Sequence, residues 1–121
     1  MPHIIIEYPA AQASSLQVEA MLVAVHRAVV GTGLFDEGHI RVRGWPLLHY
    51  LVGGERRGFV HVQCRIHTGR SPEQRRMLSE AVLAALGAQQ WVVEVITVEV
   101  VELAGESYAK AYVKTDDSGD G

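Results

Sequence analysis

The second residue of the chain, Pro2, could act as a base if Met1 is removed, as a small second residue normally permits. The nitrogen of an amino-terminal proline is a secondary amine, which can take up a proton without any side chain. An apolar pocket and nearby cations both disfavour the ammonium form of such an amine and lower its pKa. General acid–base catalysis at neutral pH works best with a base of pKa near 7. Pro2 is therefore the candidate catalytic residue.

Arginines at two positions are the candidate substrate-binding residues: Arg41 and Arg70. A guanidinium group pairs with a carboxylate through two parallel hydrogen bonds. The same cations lower the pKa of a neighbouring amine, so one set of residues could bind an acidic substrate and tune the base. Arg70 also precedes a helix start at Ser71, whose unpaired N–H groups favour an anion. The alternative interpretations are a solvated strand face for Arg41 and Arg43 and a surface loop for Arg70.

The first half of the chain is predicted to be a strand, a helix and a returning strand. Residues 3–8 are apolar enough for the first strand, and Ser14 or Ser15 can cap the helix that follows. The helix has apolar residues at i, i+3, i+4 and i+7 and ends at Gly31. Other apolar residues lie off this stripe, which indicates a helix that is deeply buried or part of a subunit interface.

The second strand is expected over residues 39–51, and Pro46 makes its second half irregular or an edge. Gly53 and Gly54 mark a turn, after which residues 59–67 alternate strictly as a third strand. The core-facing side chains of the third strand are Val60, Val62, Cys64 and Ile66. Cys64 is thus predicted to be an inert apolar filler of the core.

The second helix has a strong start signal. Ser71 can cap it, Pro72 loses nothing at the first helical position, and Gln74 can complete a capping box. Four residues are predicted to be buried: Leu78, Ala81, Val82 and Ala85. The helix is expected to end at Gly87.

The remaining elements complete a single α+β domain over residues 1–114. A fourth strand is expected over residues 91–101, and residues 108–113 are a candidate short strand. The order β-α-β then β-α-β is a duplication in outline, and it predicts a four-stranded mixed sheet with two helices on one face. Residues 115–121 are predicted to be a disordered acidic tail.

This topology would bring the candidate site residues together. A right-handed crossover makes the second strand parallel to the first, so both begin at the same edge of the sheet. If the third strand is antiparallel to the first, it ends at that edge. Pro2, Arg41 and Arg70 would then meet there, although they are far apart in the sequence.

The motifs at these positions resemble the 5-carboxymethyl-2-hydroxymuconate isomerase family of the tautomerase superfamily. The likeness lies in Met1-Pro2-His3, Thr32-Gly33-Leu34-Phe35, Gly38-His39-Ile40-Arg41-Val42-Arg43, Phe59-Val60-His61-Val62 and Gly69-Arg70-Ser71. By position, Pro2 matches the family's base, and Arg41 and Arg70 match its cationic substrate-handling residues. The resemblance also makes Arg43 a candidate substrate-binding residue. The resemblance implies a tautomerase fold and a homotrimer in which the sheets line a central barrel and a neighbouring subunit can contribute to a pocket.

The resemblance also implies proton transfer in an unsaturated 2-hydroxy di- or tricarboxylic acid, without a metal or cofactor. The best substrate candidate is 5-carboxymethyl-2-hydroxymuconate, from aromatic catabolism, and another unsaturated keto acid is nearly as plausible. Phe35 and Trp45 could wall the pocket or lie between subunits. His39 could also line the pocket, although a surface or interface role is favoured for it.

Composition and charge limit the classes of ligand that this chain is expected to bind. The formal charge of −3 is made of scattered charges of both signs, and there is no clustered basic face for a nucleic acid. No apolar run is long enough to span a membrane, and no signal-peptide layout is present, so a cytoplasmic protein is expected. The six histidines lack a metal-ligand spacing such as H-x-H or H-E-x-x-H, so no metal site is expected. The expected ligand is a small carboxylate.

Two other functions remain open at this point. The same order of elements also builds ferredoxin-like modules that bind small ligands and catalyse nothing, in which case Pro2 would be incidental. The chain could also be a structural or signalling trimer with vestigial tautomerase activity.

Overall fold

The computed structural model describes residues 1–113, so the predicted tail at 115–121 lies outside the described residues. The regular elements are β1 (His3–Pro9), α1 (Ser15–Gly31), β2 (Arg41–Leu47), β3 (Phe59–His67), α2 (Pro72–Gly87) and β4 (Val95–Leu103). Short 3-10 turns lie at Ala10–Gln12, Glu37–His39 and Gly105–Ser107. Neither α1 nor α2 is long and apolar enough to cross a membrane, and the same holds for every helix in residues 1–113.

The four strands form one mixed sheet in the order β2-β1-β3-β4. β1 is parallel to β2 and antiparallel to β3, and β3 is parallel to β4. The register places His3 opposite Arg41 on one side and opposite Arg65 on the other. The starts of β1 and β2 and the end of β3 therefore share one edge of the sheet. The predicted α+β class and mixed sheet are confirmed.

Both helices pack on one face of this sheet. The core-facing residues of β1 and β3 alternate with half-exposed ones, as the sequence predicts. The core between the sheet and the helices is built from fully buried side chains of both. The sheet contributes Ile4, Ile6, Val60, Val62, Cys64 and Ile66. The helices contribute Met21, Val25, Val29, Leu78, Val82 and Leu86. In α2 the buried stripe follows a spacing of four, so it includes Leu86 and leaves Ala81 and Ala85 half-buried, which corrects the predicted set.

Both helices begin with a capping box. The Ser14 hydroxyl accepts a hydrogen bond from the Gln17 backbone N–H at 3.2 Å, and the Gln17 side chain accepts from the Ser14 N–H at 2.8 Å. The equivalent distances at Ser71 and Gln74 are 3.1 and 2.9 Å. Each box satisfies two N–H groups that a helix start leaves unpaired, which fixes where each helix begins.

Three strand predictions need correction. β2 is shorter than expected because residues 37–39 form a 3-10 turn and residues after 47 leave the sheet; β2 is an edge strand, in agreement with Pro46. β4 begins at Val95 rather than 91, since Trp91 and Val93 pack against the core from irregular backbone. Residues 108–113 form no strand.

The sheet face opposite the helices is open in the single chain. Its residues are the half-exposed ones of the alternation, and many are polar or basic, including His3, Arg41, Arg43, His61 and Arg65. His61 hydrogen bonds with Thr97 Oγ1 through Nδ1 and with Glu99 Oε2 through Nε2, both at 2.7 Å. Neighbouring strands are therefore also tied together by side chains on this face.

Truncating the core at Leu78 should destabilise the fold strongly. Leu78 is fully buried between α2 and the sheet, so Leu78→Ala leaves a cavity and should lower the free energy of unfolding by about 2–5 kcal/mol. Leu83→Ala on the same helix is the matched control: Leu83 is 42 % exposed, so the loss should stay below about 1 kcal/mol. Urea denaturation at one fixed protein concentration measures both values, and equal losses would contradict the assigned core.

Candidate active site

The start of the chain lies at the sheet edge where β1 and β2 begin. Pro2 is fully buried, and its carbonyl accepts a hydrogen bond from the Arg41 backbone N–H at 3.0 Å. Met1, which precedes Pro2, is half-buried. Partial burial, followed by the positive charges of Arg41 and Lys110, lowers the pKa of the terminal amine at Met1 below its ordinary value. An amine at this edge thus loses its proton more readily than an ordinary one.

A cavity of about 210 Å³, the terminal cavity, opens beside this terminus. Its lining residues are Met1, Phe35, His39, His67, Arg70 and Lys110. A second cleft of about 250 Å³ shares four of these residues and extends the space toward Gly33, Leu34 and Asp36. The sheet edge therefore carries a space of small-molecule size with a cationic lining.

Arg70 is held in place within the terminal cavity. Its Nη2 donates a hydrogen bond to the Leu34 carbonyl at 2.6 Å, and its Cζ lies 4.8 Å from the centroid of the Phe35 ring. The Arg70 carbonyl accepts a hydrogen bond from Arg75, which in turn pairs with Glu102 at 3.3 Å. A guanidinium group has five N–H donors, so this anchoring leaves donors for a carboxylate.

Arg41 and Arg43 lie outside the lining of the terminal cavity. The Arg41 side chain is half-buried, and its Nη1 donates to the His39 carbonyl at 3.0 Å, next to the start of the chain. Arg43 is exposed, and its Nη1 donates to His3 Nδ1 at 3.1 Å. The structure thus brings Pro2, Arg41 and Arg70 to one edge, while Arg43 contacts a neighbour of the terminus.

His3 connects Arg43 to the segment that follows β4. Because Nδ1 accepts from Arg43, the proton of neutral His3 is on Nε2, which donates to the Tyr108 hydroxyl at 3.0 Å. Partial burial, and then the charge of Arg43, lower the pKa of His3, which keeps the ring neutral. The Tyr108 ring also packs edge-on against His67, with centroids 5.1 Å apart. These contacts fix the segment over the terminal cavity.

Comparison with known proteins identifies the family. The sequence model of the 5-carboxymethyl-2-hydroxymuconate isomerase family matches residues 2–112. The chain belongs to this family. No curated protein sequence gives a significant match. The family assignment makes the chain an enzyme of the tautomerase superfamily, a keto–enol isomerase, rather than a non-catalytic module.

Solved structures agree with the tautomerase fold. A 5-carboxymethyl-2-hydroxymuconate isomerase from Deinococcus radiodurans R1 is 23 % identical, with a TM-score of 0.76 over 91 % of this chain and 88 % of the other. A fused 4-OT symmetric trimer is 17 % identical, with a TM-score of 0.74 over 86 % and 88 % of the two chains. A macrophage migration inhibitory factor-like protein from Entamoeba histolytica is 12 % identical, with a TM-score of 0.73 over 92 % and 96 %.

The sheet also differs from the ferredoxin-like arrangement considered above. In a split β-α-β unit another strand separates the two parallel strands, whereas in this isomerase family member β1 pairs directly with β2 and β3 with β4. The ferredoxin-like alternative is therefore not supported by the strand pairing.

Two residues that line the terminal cavity were not among the predicted site residues: His67 and Lys110. His67 is the last residue of β3, and Lys110 lies in the irregular segment after β4. No sequence motif marks either of them, and only the strand order brings them beside Met1.

The described part of this family member contains neither a cluster of metal-binding side chains nor an accessible cysteine. Within residues 1–113, no three His, Cys, Asp or Glu side chains come together as a metal site. Cys64 is fully buried, and burial raises the pKa of its thiol to about 12, so the sulfur stays protonated. Cys64 is a core residue, as its place in the alternation of β3 predicts.

Proposed function

We propose that the mature chain begins at Pro2 and that its free nitrogen is the base of the isomerisation. The supporting observation is the position of Met1, which directly precedes the buried Pro2 and lines the terminal cavity with Arg70. Loss of Met1 would turn the Pro2 amide into a secondary amine at the same edge of the sheet. The charges of Arg41 and Lys110, which lower the pKa of the Met1 amine, should act in the same direction on an amine one residue further along the chain.

The proposed reaction moves one proton. The Pro2 nitrogen takes the proton of the enol hydroxyl of a dienol, and the electrons of that O–H bond shift through the conjugated chain as the ketone forms. The resulting ammonium returns the proton to a carbon further along the chain, which restores the base. Arg70 and Arg41 would hold carboxylates and stabilise the negative charge on the dienolate oxygen.

The proposed substrate is 5-carboxymethyl-2-hydroxymuconate, the compound after which the family is named. It carries three carboxylates, and the site edge carries Arg41, Arg70 and Lys110, so opposite charges face each other. Another unsaturated keto acid with at least two carboxylates would fit the same charges. Its origin in aromatic catabolism and a cytoplasmic location are part of this proposal.

The proposed assembly is a homotrimer that covers the open face of the sheet. Both β2 and β4 are edge strands, and the face opposite the helices is half-exposed in the single chain. Leu16 and Val23, which lie off the buried stripe of α1, are 82 % and 46 % exposed. The fused 4-OT structure with a similar fold is a symmetric trimer. In such an assembly, Arg43 or Arg41 could also serve the site of a neighbouring subunit.

The pH dependence of kcat/KM tests the proposed base. Catalysis needs deprotonated Pro2, so kcat/KM should fall as the pH drops through the pKa of its nitrogen. Arg41→Gln removes a cation that disfavours the ammonium form, so the pKa should rise and the acid limb should move to higher pH. Arg43→Gln is the matched control, since the Arg43 guanidinium hydrogen bonds to His3, and its acid limb should move less.

Intact mass spectrometry of the same preparations must show loss of Met1. A native chain that retains Met1 and still isomerises the dienol at full rate would refute Pro2 as the base. An Arg41→Gln acid limb that stays in place, or moves to lower pH, would refute the proposed electrostatic tuning.

A further inference from the structure

We infer that Lys110 is a specificity-determining residue that binds one carboxylate of the substrate and so selects tricarboxylates over dicarboxylates. The inference rests on the proposed function of the same site. It assigns a role to a residue that carries no motif and lies outside every regular element of the fold.

Lys110 is placed by the segment that follows β4. Tyr108, two residues earlier, is tied to the first residue of β1 by its hydrogen bond to His3 and to the last residue of β3 by its contact with His67. These two contacts hold the chain across the sheet edge, and Lys110 then lines the terminal cavity together with Arg70 and Met1. Lys110 is thus held in the lining of the terminal cavity although its backbone is irregular.

The Lys110 ammonium keeps hydrogen-bond donors available for a ligand. Its Nζ lies 3.4 Å from the Tyr112 hydroxyl and 5.1 Å from the centroid of the same ring, which are weak contacts for a group with three donors. The ion pairs formed among residues 1–113 involve other side chains. The acidic residue in the lining of the second cleft, Asp36, is 88 % exposed, and its carboxylate lies 3.9 Å from His39 Nδ1. An anionic ligand would therefore find the ammonium available.

The three positive charges at the site match the three carboxylates of a tricarboxylate substrate. Arg70 is anchored by Leu34 and Phe35, which suits recognition of one carboxylate in a fixed orientation. Arg41 lies beside the start of the chain, where its backbone N–H donates to the Pro2 carbonyl. A lysine on a flexible stem is a point charge that can follow a carboxylate whose position is less constrained, such as a carboxymethyl branch. Lys110 and Met1 line the same cavity, and the charge of Lys110 contributes to the lowered pKa of the Met1 amine.

Binding of two unreactive aromatic carboxylates tests this role without relying on turnover. Isothermal titration calorimetry would compare trimesate, a tricarboxylate, with isophthalate, the matching dicarboxylate, on the chain that begins at Pro2. Lys110→Gln should weaken trimesate about 3- to 10-fold and isophthalate less than about 2-fold, as for a partly exposed ion pair. Lys110→Arg should keep most of the preference.

Arg76→Gln is the matched control, because it removes one positive charge from an exposed position of α2 that lies outside the cavity lining. Equal weakening of both ligands by Lys110→Gln, the same loss in Arg76→Gln, or no preference of the unaltered chain for trimesate would overturn the inference. Turnover separates it from the proposed function. A Lys110-dependent preference without any isomerase activity refutes the proposed reaction alone, whereas full activity on 5-carboxymethyl-2-hydroxymuconate with no role for Lys110 refutes this inference alone.

Discussion

A chain in which the Pro2 nitrogen remains an amide should lose at least about 100-fold in kcat/KM, since a positioned general base contributes about 10²–10⁴-fold. Insertion of a leucine between Met1 and Pro2 gives such a chain, because a bulky second residue blocks removal of the initiator methionine. An amide nitrogen cannot accept the proton of the dienol, so no change of pH should restore the rate. Steady-state turnover of 5-carboxymethyl-2-hydroxymuconate by the two chains measures the loss.

The inserted residue also adds volume at the cavity, so a control must separate chemistry from obstruction. Pro2→Ala keeps a free terminal amine of similar size after Met1 is removed, and it should retain more activity than the inserted chain. Circular dichroism and urea denaturation should show the same fold for all three chains. Equal activity of the inserted and native chains, with both masses verified, would exclude Pro2 as the base.

Much of the fold could be predicted because local signals and the global arrangement agree. The strict alternation over residues 59–67 matches β3 to the residue, because one face of that strand packs on the helices and the other does not. The signals at Ser14 and Ser71 are local, since a cap is satisfied by residues within one helical turn. The right-handed crossover predicted that β2 runs parallel to β1, whereas the direct pairing of the two strands is seen only in the structure.

The errors arise where tertiary contacts override local pattern. Trp91 and Val93 are apolar enough for a strand, yet they pack against the core from irregular backbone, so β4 begins later. Tyr108 and its neighbours carry strand-forming residues, but the segment is held through a side-chain hydrogen bond to His3, not through a sheet ladder. Local periodicity cannot detect a contact between residues 105 positions apart.

The sequence predicted which charged residues lie at this edge and named Phe35 and His39 as possible lining residues, but it did not point to His67 or Lys110. Pro2, Arg41 and Arg70 could be placed at one edge from strand direction alone, because each adjoins the end of a strand. Strand direction does not say which way a side chain turns at the edge, so the different partners of Arg41 and Arg43 appear only in the structure. Lys110 was not predicted for a related reason: it lies in irregular backbone after β4, and no strand direction indicates where such a residue is placed.

Arg70→Gln should lower kcat/KM about 10- to 100-fold, because a charge-assisted hydrogen bond to a carboxylate contributes about 1.5–3 kcal/mol. Glutamine can still donate a hydrogen bond, but it lacks the charge that the proposed dienolate needs. Arg70→Lys restores the charge without the fork of donors, so it should recover only part of the loss. Measurement of kcat and KM for the three chains would assign the loss to binding, to the chemical step or to both.

Loss of the Arg70 contact with the Leu34 carbonyl could also loosen the loop that walls the cavity, so a structural effect must be told apart from a direct one. A loosened loop should impair every substrate alike, whereas loss of a carboxylate partner should impair the tricarboxylate more than an enol that carries a single carboxylate, such as phenylenolpyruvate. Arg76→Gln, which removes an exposed charge outside the cavity lining, should change kcat/KM by less than about 2-fold, or about 0.4 kcal/mol. If Arg70→Gln acts no more strongly than Arg76→Gln on the tricarboxylate, Arg70 does not bind the substrate, and the terminal cavity is not the place where the dienol is held.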